Sequence, residues 1–137
     1  MTPEELKTRT KTFALRVIRL VSSLPHNMQA NIIGRQLLRS ATSVGANYRA
    51  SCRSRSDKDF LARMGIVEEE ADETMYWMDL LVGSNLVKQE NITDLMQEAE
   101  EIPKIMIASI RTTKARISRS KNQKSAINNP KSQIRNK

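Results

Sequence analysis

Apolar residues fall at helical spacing in four blocks, each set off by polar, turn-forming residues. In the first, Leu6, Phe13, Val17, Leu20, Val21 and Leu24 keep to one side of a 3.6-residue period. The block opens on Thr2-Pro3-Glu4-Glu5, where Thr2 can cap, Pro3 takes the first helical position and Glu5 completes a capping box. Pro25 ends it. The second block runs through Met28, Ile32, Ile33, Leu37, Leu38, Ala41, Val44 and Tyr48. Its middle, residues 40–47, is built from small side chains, which allow a neighbouring helix to approach closely. Gly45 costs about 1 kcal/mol against Ala in an exposed helix, so close packing is the expected reason for it, with a kink as the alternative.

Ser54-Arg55-Ser56 marks the next break, with Ser56 and Asp59 spaced as a second capping box. The third block carries Phe60, Met64, Val67, Ala71, Thr74, Met78 and Leu81. Steps alternating between four and three form a heptad seam. Gly83 is placed to end it as a left-handed cap. Asn91, with Asp94 three residues on, can start the fourth block, which continues through Leu95, Ala99, Ile102, Met106, Ile110, Thr113 and Ile117. Pro103 inside it removes a backbone donor and predicts a kink or a local opening. Beyond Ile117 the period fades into Ser, Asn, Lys and Gln, and residues 119–137 read as disordered. The expected fold is therefore all-α: an antiparallel up-down four-helix bundle over residues 1–118, followed by a disordered basic tail over 119–137.

Length agrees with a single domain, since the chain has 137 residues. Four Gly and four Pro are too few for a turn-rich sandwich or barrel, and 4% aromatics leave an aliphatic and Met core. The single cysteine, Cys52, excludes an intramolecular disulfide and a Cys-based zinc finger. No apolar run approaches the roughly 20 residues of a membrane span. The polar, acidic start is unlike a secretory leader, so no membrane partner is expected and the cytoplasm is the expected compartment.

Charge changes the picture more than composition does. The net charge is +8, but residues 1–56 hold ten basic and two acidic side chains, and residues 57–110 hold four and thirteen. Residues 111–137 hold nine basic side chains and no acidic one. Basic segments without acids suit phosphate neutralisation, so RNA or DNA is the expected partner. The alternative is a solubilising tail.

A resemblance to a known family rests on Gly34-Arg35-Gln36-Leu37-Leu38-Arg39-Ser40-Ala41-Thr42-Ser43-Val44-Gly45-Ala46-Asn47-Tyr48-Arg49. Arg55-Ser56-Asp57-Lys58-Asp59-Phe60 and Val67-Glu68-Glu69-Glu70-Ala71-Asp72-Glu73-Thr74-Met75-Tyr76-Trp77 extend it. Together they resemble the four helix bundle protein family, which includes proteins encoded in intervening sequences of bacterial 23S rRNA genes. The accessory protein of diversity-generating retroelements is a relative. The match covers residues 6–114, and Pro103 and the tail depart from the family pattern. The resemblance implies a homopentamer around a central channel and no established enzyme activity. For the retroelement relatives it implies nucleic-acid binding with a reverse transcriptase as partner.

Candidate residues follow from both readings. Arg35 and Arg39, and Arg49 and Arg53, are paired at i,i+4, and arginine suits bidentate phosphate contact. Arg49, Arg53 and Arg55, near a helix end, are the better nucleic-acid candidates, with Arg35 behind them. Arg111, Lys114, Arg116, Arg119, Lys121 and Lys124 add the tail's charge. Arg39 is expected instead in a structural ion pair with the acidic run that includes Glu69, Glu70 and Glu73. Tyr76 and Trp77, beside the third helix's seam, are candidates for a subunit interface.

One constellation resembles an enzyme. Glu69, Glu70 and Glu73, with Glu98 and Glu101, are spaced like the magnesium-binding carboxylates of all-α nucleotide pyrophosphohydrolases. That family's second element usually ends in Asp rather than Glu, and a charge run on a helix is usually a solvated face. Cys52 reads as a small packing residue. The expected function is thus a non-enzymatic homo-oligomeric scaffold that binds nucleic acid, with no catalytic residue, metal or cofactor. The alternatives are an assembly module with no nucleic-acid role and, behind it, the hydrolase.

Overall fold

A computed structural model describes residues 1–128. Four helices follow one another: α1 (Pro3–Ser22), α2 (Met28–Ser51), α3 (Asp57–Gly83) and α4 (Gln89–Asn128). The connections, 23–27, 52–56 and 84–88, are short, so each helix must pack antiparallel to the one before it. Contacts join α1 to α2, α2 to α3, α3 to α4 and α4 back to α1, with none across either diagonal. That is an up-down four-helix bundle. Its tightest pair is α2 with α3 and its sparsest is α1 with α4.

Local chemistry explains where the helices start. Thr2 and Glu5 form the full reciprocal box, each accepting from the other's backbone N–H at 3.1 Å. Asn27 caps α2 through a 2.8 Å bond from the Ala30 N–H. Ser56 caps α3 through a 3.0 Å bond from the Asp59 N–H. Such caps are worth roughly 1 kcal/mol each.

The α3 seam forms the middle of the core. Met64, Val67, Ala71, Thr74, Met78 and Leu81 are buried, and Phe60, in the first turn, is half-buried. Phe13, Val17, Leu37, Val44, Ile102 and Met106 fill the space opposite them. The buried hydroxyls between α2 and α3 are satisfied. Thr74 donates to the Glu70 carbonyl at 2.8 Å, Thr74 Oγ1 lies 3.0 Å from Ser40 Oγ, and Ser40 donates to the Leu37 carbonyl at 3.2 Å. Small side chains at 40 and 74 let α2 and α3 close over this pair.

Gly45 is a close-packing residue within an unbroken helix. A Cβ placed there would sit 3.2 Å from Thr10 Oγ1 and 3.3 Å from Thr10 Cβ. Gly45→Val should therefore lower stability by about 1–3 kcal/mol through overpacking. A denaturant titration that returned the wild-type midpoint would contradict the close approach of α1.

Three expectations about the helices are corrected. Gly83 is the last residue of α3 but does not adopt the left-handed conformation, which falls to Asn85 at φ 62°. Ser84 delays the turn, its hydroxyl donating to the Leu80 carbonyl at 2.6 Å, and Asn tolerates the left-handed region nearly as glycine does. In α4 the non-helical residue is Ile92 (φ −128°, ψ 15°), one past the expected cap Asn91, and Pro103 does not interrupt the helix. Pro103 lines a recess with Gly65 of α3.

Residue 118 is not the end of the helix. α4 runs on to Asn128, through Arg, Lys, Gln and Ser with no Gly or Pro, residues that accept helix without a packing partner. The part of the expected disordered tail beyond 128 lies outside the described residues.

A candidate nucleic-acid interface

Gaps of four and three recur on α2 in a second register, on its outer face. Met28, Ile32, Arg35, Arg39, Thr42, Ala46, Arg49 and Arg53 make one continuous stripe, since such steps return to the same side of a helix. All are exposed except half-buried Thr42. The stripe was legible in the sequence, but its apolar content is confined to its first turn, so a search for hydrophobic period passes over it. α1 supplies Lys7 and Lys11, which line a shallow groove with Ala14, Thr42, Ala46 and Arg49. These two lysines were not among the sequence candidates. Residues 6–56 contain no Asp or Glu, so the only acids near this face come from other segments.

Topology then gathers basic residues at one end of the bundle. The start of α1, the end of α2, the start of α3 and the later part of α4 meet there, around a recess lined by Lys7, Tyr48, Cys52, Arg55, Phe60 and Arg116, among others. Arg49 and Arg53 lie on the last turn of α2 and just past its end. Arg111, Lys114, Arg119, Lys121 and Lys124 leave along α4, all of them exposed. Arg116 is exposed too, but it donates to Asp57 at 2.8 Å and ties α4 to the start of α3. It is therefore a structural pair rather than a free tail charge. Cys52 is exposed, not packed as expected. Burial, and then the hydrogen bond with Cys52, push the Tyr48 hydroxyl well above its usual range.

The acidic run divides by helix face. Glu70 and Glu73 turn toward α2, where Arg39 donates to Glu70 at 3.1 Å and to Glu73. The Trp77 indole N–H also donates to Glu73, at 3.1 Å. Glu69 does not join them. One position along the helix turns it about 100° away, to a recess with Glu68, Asp72, Met75, Pro103 and Ile107. Tyr76 stands outside at 56% exposure, edge-on to Trp77 with ring centroids 5.1 Å apart. Trp77 is half-buried against the core. Arg35 remains exposed on the stripe.

A pair 89 residues apart in sequence closes the sparse α1–α4 side. Arg9 grips Glu98 with bonds of 2.9 and 2.6 Å, both side chains largely buried. The Arg9 hydrogen bond holds the Glu98 carboxyl below the usual carboxylate range against the opposing effect of burial. Arg39, and then Trp77, do the same for Glu73. Three of the candidate carboxylates, Glu70, Glu73 and Glu98, are thus engaged by arginine. Among the described residues no group of three or more His, Cys, Asp or Glu side chains is placed to hold a metal ion.

These shifts have a pH consequence. A carboxylate with a depressed folded-state pKa adds stability that is fully present above its unfolded value, about 4.3, and is lost as pH falls through the folded value. The urea midpoint should hold steady from pH 7 to 5 and decline below about pH 4.3. Glu98→Gln should lower the midpoint at pH 7 and make that decline shallower. A variant whose midpoint tracked wild type at every pH would remove the pair from the account.

Among the described residues no helix is long and apolar enough to cross a membrane. Comparison with curated proteins finds no match. Among solved structures, the chain is similar to a protein of unknown function from the S23 ribosomal protein family of Bacteroides thetaiotaomicron. The two are 32% identical with a TM-score of 0.75, over 81% of this chain and 99% of the other. The model of the 23S rRNA-intervening sequence protein family matches residues 5–108. That span takes in all of α2 and α3, the Arg39 cluster and the Arg9–Glu98 pair, and on it the chain belongs to the 23S rRNA-intervening sequence protein family.

Proposed function

We propose that the protein is a non-enzymatic, homo-oligomeric scaffold, pentameric as the family resemblance implies, that binds nucleic acid at its basic end. The observation that carries this reading is the gathering of Arg49, Arg53, Arg55 and the cations of α4 at one end of the bundle, where α2 and the later part of α4 carry no acid, although Lys7 there pairs with Glu4 and Arg116 with Asp57. Desolvating so much like charge against protein is unfavourable, whereas a phosphate backbone neutralises it and releases counterions. Assembly uses the sides of the bundle. Leu15, Ile18, Ile32, Ile66 and Tyr76 are large apolar side chains left exposed on α1, α2 and α3. The acid-free α1–α2 face and the acidic recesses between α3 and α4, lined by Glu68, Glu69, Asp72, Asp79 and Glu100, carry opposite charge. Joining unlike faces of successive copies is a heterologous contact, the kind that closes into a ring. A reverse transcriptase is a further proposed partner, through the retroelement relatives.

The test is fluorescence anisotropy with labelled RNA and DNA across a salt series. Log affinity should fall linearly with log salt, by about 0.7–0.9 per phosphate contact. Arg49→Ala with Arg53→Ala should weaken binding and flatten the slope by about 1.4–1.8. Absence of salt-dependent binding would leave the assembly module without a nucleic-acid role as the better reading, its acidic recesses then serving self-association.

A further inference from the structure

α4 outlasts the bundle that supports it. Its last tie to another helix near that end is Arg116 to Asp57, at the first residue of α3. From Ile117 to Asn128 it continues as regular helix, about 18 Å at 1.5 Å per residue. Ile117 is half-buried, and residues 118–125 are exposed without exception.

Residues 118–125 of the projecting segment carry no apolar side chain. Residues 118–125 are Ser, Arg, Ser, Lys, Asn, Gln, Lys and Ser. A helix that lies on a bilayer or packs against a protein helix separates an apolar stripe from a polar one, and this one does not. Its cations are not confined to one side either. At 3.6 residues per turn, Arg119 and Lys121 point about 160° apart, and Lys124 lies about 60° from Lys121. Charge on one face suits a helix resting on a polyanion. Charge on opposite flanks suits a helix with phosphates on either side.

We infer that this projecting part of α4 is a recognition helix for double-stranded DNA, inserted in the major groove. The inference rests on the nucleic-acid reading above and narrows it to one form. A helix about 10–12 Å across fits the B-form major groove, about 12 Å wide with phosphates along both walls. The major groove of A-form RNA is too deep and narrow to admit it. Arg119, Lys121, Asn122 and Gln123 on this helix are of the types that donate to or accept from base edges in that groove. With no protein surface to support it, the helix is only marginally stable alone, and the groove supplies the missing partner.

Ser120→Pro separates shape from charge. It keeps every cation, but it breaks the helix at residue 119, beyond the Arg116–Asp57 tie. Full-length protein and the variant are titrated with a labelled 20-base-pair DNA duplex, an RNA duplex of the same sequence and a single DNA strand, at one salt concentration. Wild type should prefer the DNA duplex to the RNA duplex by tenfold or more. Ser120→Pro should lose at least tenfold on the DNA duplex, bind the single strand as wild type does, and keep the wild-type melting temperature. Equal binding of the three probes, or a DNA-duplex affinity untouched by the proline, would overturn the recognition helix and leave a basic end that binds by charge alone. No binding of any probe by wild type would overturn both this inference and the nucleic-acid reading beneath it.

Discussion

Phe13→Ala should lower the unfolding free energy by about 3–5 kcal/mol, the usual loss for emptying an aromatic core site. Phe13 is the largest fully buried side chain among the described residues, in a core whose other buried apolar side chains are aliphatic or Met apart from Tyr48. It sits on α1, whose contact with α4 is the sparsest of the four adjacent pairs. One turn before it, Arg9 reaches Glu98; one turn after it, Val17 is fully buried. Together they hold α1 in place on that side. Domains are stable by only about 5–15 kcal/mol, so the variant loses about a fifth or more of its margin. Guanidinium unfolding followed by circular dichroism, at fixed protein concentration, reads the change directly. A loss below about 1 kcal/mol would mean that α1 is not packed into the core as described.

The fold was legible because one seam dominates it. On α3 the steps from Phe60 to Leu81 name the buried positions almost without error, and Thr2, Pro3, Ser56 and the small run around Gly45 each have one structural use. What failed were choices between near-equivalents. Gly83 and Asn85 both tolerate the left-handed turn, and the hydroxyl of Ser84 decided between them. Asn91 and Ile92 are neighbours, and the helical dihedrals fail at the second. Pro103 lacks a backbone donor, yet the dihedrals of α4 stay helical there. The helix beyond residue 118 carries no hydrophobic period, and period was the signal in use.

The candidate site was legible in its residue types and less so in its pairings. Arg39 stands out from the other α2 arginines because α3 presents Glu70 and Glu73 across from it, while Glu69, one step along, turns outward. Arg9–Glu98 and Arg116–Asp57 join segments far apart in sequence, and no local pattern announces either. The gathering of Arg49, Arg53, Arg55 and the α4 cations at one end follows from antiparallel topology. It puts the end of α2, the start of α3 and the later part of α4 together.

The second large effect concerns assembly and its cargo. Exposed Ile66 and Tyr76 near acidic recesses, and Leu15, Ile18 and Ile32 near an acid-free stripe, give the bundle two unlike sides. The proposed ring would multiply the basic ends as well. In a pentamer the nine cations of residues 111–137 are repeated five times around one particle. Several ends engaging one strand gain avidity without any new contact, and a protein making 6–10 phosphate contacts loses about 10³–10⁵ in affinity between 50 and 200 mM salt. Sedimentation velocity, with and without labelled nucleic acid at these two salt concentrations, tests both halves of the claim at once. The account predicts that the protein alone sediments at about five times its 15.6 kDa chain mass. It also predicts that nucleic acid moves with the protein at low salt and separates from it at high salt. A 15.6 kDa monomer at micromolar concentration, or nucleic acid that never moves with the protein, would contradict it.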